Sequence, residues 1–151
     1  MRKFIPAFVF LLASSCLWFQ HAPLTANLTV VRYNAIPEYQ IWANDALACA
    51  KLLKLRSPDL PFTVVHDSVD VQTFVWYAVA TEAPDGSFPC QHPYRCVGLS
   101  SGDTILISSW HVARSWVVKH EMMHWFVESA TEMQASHGLP WGMCEGPISG
   151  S

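Results

Sequence analysis

The sequence predicts an α+β domain in the order helix, three strands, buried helix and tail. Residues 39–55 carry apolar side chains at close to a helical period. Three runs rich in β-branched and aromatic residues predict strands over residues 62–66, 73–81 and 104–107, and the second, apolar on both faces, is expected to be central. Residues 112–127 are apolar on nearly every side of a helical projection, which is typical of a buried helix.

Length and composition limit the classes of function. A chain of 151 residues is long enough for one domain with a modest core. The net charge of −3 provides no basic surface, so we do not expect nucleic acid as a partner. With 13% aromatic and only 14% charged residues, the composition argues against disorder.

The N-terminus has the pattern of a secretory signal. The basic residues Arg2 and Lys3 precede residues 4–19, which contain no charge. This apolar run is shorter than a transmembrane helix, and Pro6 interrupts it. We therefore expect residues 1–22 to be a signal peptide and residues 23–151 to form the exported domain.

The same segment leaves the type of export open. Leu-Ala-Ser-Ser-Cys at residues 12–16 resembles a bacterial lipobox, in which Cys16 would be lipidated and become the new N-terminus. The alternative is ordinary cleavage after a small residue, near Ala22 or Ala26. The protein is then either attached to the membrane of the cell envelope through a lipid or secreted.

The cysteines predict two disulfides. Without Cys16, four of the five cysteines remain, an even number that suits an oxidising compartment. Cys90–Cys96 would close a short, turn-rich loop, which leaves Cys49–Cys144 to tie an early helix to the tail. A closed loop near one hundred residues makes the second bridge worth roughly 4 kcal/mol or a little more. Metal binding by cysteines is the alternative, but no CxxC pair is present.

The helix over residues 112–127 contains His120-Glu121-Met122-Met123-His124. Residues four apart on a helix lie about 40° apart around the axis and about 6 Å along it, so both imidazoles can bind one metal ion. Glu121 can then reach a water on that metal, as in a zinc hydrolase. The alternative is two hydrogen-bonded core histidines with Glu121 on the surface. Three ionisable groups on an apolar helix would be costly without a partner such as a metal.

This motif and the strands before it resemble the zincin metallopeptidases over about residues 42–144. The tail is more similar to small exported bacterial zincin-like proteins of mostly unknown function, which have a His-Pro segment and a cysteine near the C-terminus. The positions that match are His120, Glu121, His124, His137 and Cys144. The resemblance implies a minimal zincin-like fold, with a sheet of three or four strands packed on the active-site helix, and a Zn²⁺ cofactor.

The third metal ligand has several candidates. His137 follows His124 by thirteen residues, enough for the chain to turn back, and we rank it first. Glu145 is the alternative, because some zincins complete the metal site with a carboxylate from a later segment of the chain, at a less fixed distance from the motif. Glu128 and Glu132 rank last, because Glu128 is expected one turn further along the same helix, where it would brace His124.

Together these features predict a zinc-dependent metallopeptidase acting on a peptide or protein substrate. His120, His124 and His137 would bind zinc, and Glu121 would take the proton from the attacking water and deliver it to the leaving amine. The strand over 104–107 would pair with an extended substrate, as the edge strand does in zincins. The alternative is a non-catalytic envelope lipoprotein or binding module with a structural zinc site. The sequence does not indicate an oligomeric state.

Overall fold

The structure is a computed structural model that describes residues 28–91, 94–129 and 139–146. The predicted signal peptide (1–22), the lipobox with Cys16, and the candidate ligands His137 and Glu132 lie outside the described residues.

The described residues form an α+β fold, as predicted. Helix α1 spans Pro37–Arg56, the motif helix α2 spans Ser115–Phe126, and a short helix α3 spans Leu139–Glu145. A short 3-10 turn covers Val71–Thr73. The strands, in chain order, are β1 Val30–Tyr33, β2 Phe62–Val64, β3 Val75–Val79, β4 Phe88–Gln91, β5 Tyr94–Cys96, β6 Gly98–Ser101, β7 Thr104–Ser108 and β8 Val127–Ser129.

A four-stranded mixed sheet has the order β1-β3-β7-β6. Strand β3 pairs antiparallel with β1 and parallel with β7, which confirms that it is central. The expectation that residues 104–107 form the edge strand was wrong, because β6 pairs antiparallel with β7 and covers that side. A tight turn at Gly102, whose φ is 60°, returns the chain from β6 to β7. Among the described strands, β1 and β6 are therefore the two edges of this sheet, and β6 is the edge next to β7.

Both predicted disulfides are present. Cys49–Cys144, the tail disulfide, joins α1 to α3 across a sequence separation of 95 residues. Cys90–Cys96, the hairpin disulfide, links β4 to β5, so the segment expected to be a loop contains a two-stranded hairpin. Disulfides indicate an oxidising, non-cytoplasmic compartment. Among the described helices, none is both long and apolar enough to cross a membrane.

One hydrophobic core joins α1, α2 and the sheet. It contains Trp76 of β3, Ile105 and Ile107 of β7, and the α2 side chains of Met122 and Phe126, all at most 1% exposed. The motif helix is thus fixed between α1 and the strands, which confirms that it is buried. This packing gives the site a rigid support.

The motif helix is shorter at both ends than the period predicts. Its N-cap residue is Arg114, because turns occupy the residues between the end of β7 at Ser108 and the start of the helix. At its other end the chain enters β8 at once, and β8 pairs antiparallel with β2. Glu128 therefore lies in a strand, and the expectation that it continues the helix face of His124 was wrong.

Candidate metal centre

The two motif histidines direct the same ring nitrogen at one point. His124 Nε2 lies 3.2 Å from His120 Nε2, and the ring centroids are 4.9 Å apart. Two nitrogens that each lie about 2.05 Å from a zinc ion, at a tetrahedral angle, are about 3.3 Å apart. The observed separation therefore fits a zinc ion as well as it fits a direct hydrogen bond between the rings. His120 is largely buried, whereas His124 is exposed, so the point is reachable from solvent.

The other ring nitrogen of His120 is held by the tail. Glu145 Oε1 lies 2.6 Å from His120 Nδ1, and both side chains are less than 20% exposed. An ionised carboxylate only accepts hydrogen bonds, so Nδ1–H would donate to it, and in the neutral form of His120 the lone pair of Nε2 would face His124. Burial lowers the pKa of His120, but the hydrogen bond to Glu145 and the charges of Glu121 and Glu145 raise it by more.

The predicted alternative ligand Glu145 is thus brought to the site, but at a different position from the one expected. Its carboxylate contacts Nδ1 of His120, whereas the opposite ring nitrogen, Nε2, faces Nε2 of His124. A carboxylate in this arrangement orients the histidine and fixes its tautomer.

Glu121 is buried beside the edge strand, with 4% of its surface exposed. Its carboxyl group packs against the backbone of Gly98 and forms a hydrogen bond with Ser100, both in β6. Burial raises the pKa of Glu121 to about 7, although the charge of His120 and the Ser100 hydrogen bond act in the opposite direction. The alternative interpretation that placed Glu121 on the surface was wrong.

Gly98 is needed for this contact. A β-carbon built on Gly98 would lie 2.3 Å from Glu121 Oε1, 2.8 Å from Cδ and 2.9 Å from Cγ. Neither Gly98 nor Ser100 was predicted as a site residue. A glycine within a strand often marks close approach of another group, and this was the signal available.

A disulfide and an ion pair add to the packing of the tail and of the motif helix on α1. The tail disulfide anchors α3, and Lys119 Nζ lies 3.5 Å from Asp45 Oδ2. Lys119 directly precedes His120, so this ion pair helps to set the rotation of α2 about its axis. The motif histidines therefore face α3, and Glu121 faces β6.

Two other histidines have local structural contacts. His66 stacks on Trp125, with ring centroids 3.5 Å apart. His111 packs edge-on against Trp116 and against Gly86, and its Nδ1 has no hydrogen-bond partner among the described residues. Burial and the nearby charge of Arg114 lower the pKa of His111.

Within the described parts of the chain, no group of three or more His, Cys, Asp or Glu side chains is arranged to hold a metal ion. The described part of the centre is the histidine pair with Glu121 and Glu145, and His137 stays a prediction as third ligand. The chain has no significant match among protein-family models, curated protein sequences or solved structures.

Proposed function

We propose that this protein is an exported zinc-dependent metallopeptidase. The observation that carries the proposal is the convergence of the two Nε2 atoms, 3.2 Å apart, next to the buried carboxyl group of Glu121. A catalytic zinc site has three protein ligands and one open position. His120 and His124 provide two of the ligands, and His137 is our candidate for the third.

Glu121 acts as the general base. His120 and His124 would hold the zinc ion, which would supply the Lewis acidity that activates a water and polarises the scissile carbonyl. Glu121 accepts the proton of the attacking water and then delivers it to the leaving amine. In the metal-free protein, burial beside β6 raises the pKa of Glu121 to about 7.

The substrate binds as an extra strand along β6. As the last strand of the sheet, β6 has one side directed away from β7, where an extended peptide can pair with its backbone. The Glu121 carboxyl group contacts this same strand at Gly98. A peptide on β6 would therefore pass next to the base. This role replaces the one expected for residues 104–107.

The protein reaches its site of action by export. The two disulfides support an oxidising compartment, and the basic and apolar start of the sequence supports a signal peptide. Attachment through a lipidated Cys16 and soluble secretion both remain compatible with this start.

The test combines zinc content with hydrolysis of a library of fluorogenic peptides. We expect zinc-loaded wild-type protein to cleave peptides, a chelator to abolish cleavage, and added zinc to restore it. His124→Ala should lose both zinc and activity. Glu121→Gln should keep its zinc and lose about 10²–10⁴-fold in rate, the usual contribution of a general base.

A matched control uses a glutamate away from the motif. Exposed Glu82, changed to Gln, should leave zinc content and activity unchanged. Full activity in Glu121→Gln would contradict the assignment of the base. Stoichiometric zinc without hydrolysis of any peptide would favour the non-catalytic module with a structural zinc site.

A further inference from the structure

Helix α3 connects the metal centre to the tail disulfide through adjacent residues. Cys144, which is 4% exposed, is bonded to Cys49 of α1. The next residue, Glu145, forms the 2.6 Å hydrogen bond with His120 Nδ1. One residue step therefore separates the covalent anchor from the carboxylate that orients a motif histidine.

The disulfide is the strongest attachment of α3. A helix of seven residues is too short to be stable alone in water, so its position depends on tertiary contacts. Of its described side chains, that of Met143 is 67% exposed and contributes little burial. Gly142 has no side chain and lowers the helix propensity further. The bond to Cys49 ties α3 covalently to α1, in addition to the packing of α3 on α1 and α2.

We propose that Glu145 is a positioning residue of the metal centre, and that the tail disulfide controls the metal affinity by holding Glu145 against His120. This inference rests on the proposed zinc site. With the disulfide formed, the carboxylate fixes the tautomer and orientation of His120. With the disulfide reduced, α3 leaves its position, His120 loses its hydrogen bond to Glu145, and zinc binds more weakly.

The redox step balances with an external dithiol as the reductant. One thiolate of the dithiol attacks the half-buried Cys49 sulfur, the Cys49–Cys144 bond breaks, and Cys144 leaves as a thiolate that takes up a proton. The second thiol of the reductant then displaces Cys49 as a thiol. Two electrons and two protons are transferred to the protein, and the reductant becomes a disulfide.

The hairpin disulfide provides a matched control within the same chain. Cys90–Cys96 spans a sequence separation of 6 residues and closes the β4–β5 hairpin. Both cysteines pack on a second small hydrophobic cluster, formed by Val79, Phe88 and Leu106, rather than on the core that contains the motif helix. Its removal should not affect Glu145.

The experiment measures zinc affinity by competition with a chromogenic chelator. Replacing a residue that orients a metal ligand typically weakens metal binding about 10–100-fold. We expect a loss in this range for Glu145→Gln, a similar loss for the double variant C49A/C144A, and no loss for C90A/C96A. Alanine variants are used because free thiols would themselves bind zinc.

The decisive comparison is the triple variant that combines C49A/C144A with Glu145→Gln. If the disulfide acts through Glu145, the triple variant should bind zinc no more weakly than Glu145→Gln alone. Losses that multiply would overturn the proposal, since the disulfide would then act only through general stability. Unchanged zinc affinity in C49A/C144A would also overturn it.

A further variant keeps the disulfide and covers the case in which C49A/C144A does not fold. Insertion of one glycine between Cys144 and Glu145 preserves both residues but moves the carboxylate away from His120. We expect the insertion to weaken zinc binding as much as Glu145→Gln, and wild-type affinity would contradict the proposal. If oxidised wild-type protein binds no zinc, the proposed function fails; if all variants bind it equally, only this inference fails.

Discussion

The contact between Gly98 and Glu121 allows a test of the base that does not alter the base itself. In Gly98→Ala the new β-carbon would lie 2.3 Å from Glu121 Oε1 and under 3 Å from Cδ and Cγ. Favourable contacts between such atoms need about 3.5 Å, so the carboxyl group must move by about 1 Å. Rotation of the terminal oxygens cannot relieve the clash, because Cγ is also too close and the side chain is only 4% exposed.

A displacement of this size has a predictable effect on the reaction. Misplacement of a catalytic group by about 1 Å can cost about 10²-fold, so we expect kcat/KM for peptide hydrolysis to fall about 100-fold, or about 3 kcal/mol. Zinc affinity should change only a few-fold, because the three atoms nearest the new β-carbon all belong to Glu121. Overpacking at Gly98 should also lower the free energy of unfolding by about 1–3 kcal/mol.

The assay compares zinc-loaded Gly98→Ala with Gly142→Ala at a temperature where both are folded. A β-carbon on Gly142 meets no atom of the described residues within 4 Å, so this control adds the same methyl group without a clash among them. Wild-type kcat/KM in fully zinc-loaded Gly98→Ala would refute the reasoning, because the base could not then depend on the observed position of Glu121.

Three further predictions concern stability. In metal-free protein Glu121 keeps its proton between pH 4.5 and about pH 7, whereas the unfolded chain releases it. The free energy of unfolding, measured by urea denaturation, should therefore fall by up to about 3 kcal/mol as the pH rises through this window. Glu121→Gln should remove most of this fall. Tyr39→Phe should lower the free energy of unfolding by about 1–3 kcal/mol in the same assay. The Tyr39 hydroxyl donates a 2.5 Å hydrogen bond to the Val112 carbonyl, and phenylalanine would leave that carbonyl without this donor. The tail disulfide should contribute about 2 kcal/mol more to the free energy of unfolding than the hairpin disulfide, since it closes a much longer loop. Thermal unfolding of C49A/C144A and C90A/C96A measures the difference, and equal losses of stability in the two variants would contradict this.

Sequence reasoning located the features that depend on local spacing. The helical period identified α1 and α2, β-branched runs identified β3 and β7, and the count and spacing of cysteines gave both disulfides. Strands β1 and β6 were missed because they are only four residues long and form by pairing with distant or reversed segments. The error about the edge strand followed directly, since β7 has no open side once β6 is present.

The site was predictable in part for the same reason. The spacing within the motif placed His120 and His124 together, because one helical turn separates them. The role of Glu145 was not predictable, because it depends on how α3 docks 25 residues away from His120. The end of α2 at Phe126 was also not predictable from the sequence. The helical pattern continues to residue 127, but the pairing of β8 with β2 ends the helix earlier.

The central claim is that His120 and His124 bind a zinc ion beside the Glu121 carboxyl group. The most direct measurement is X-ray diffraction from crystals of zinc-loaded protein, with anomalous data at the zinc edge. We predict one anomalous peak at about 2.0–2.1 Å from both Nε2 atoms, with one further protein ligand and one open position towards Glu121. The absence of a peak between these histidines, or a zinc ion closed by four protein ligands, would contradict it.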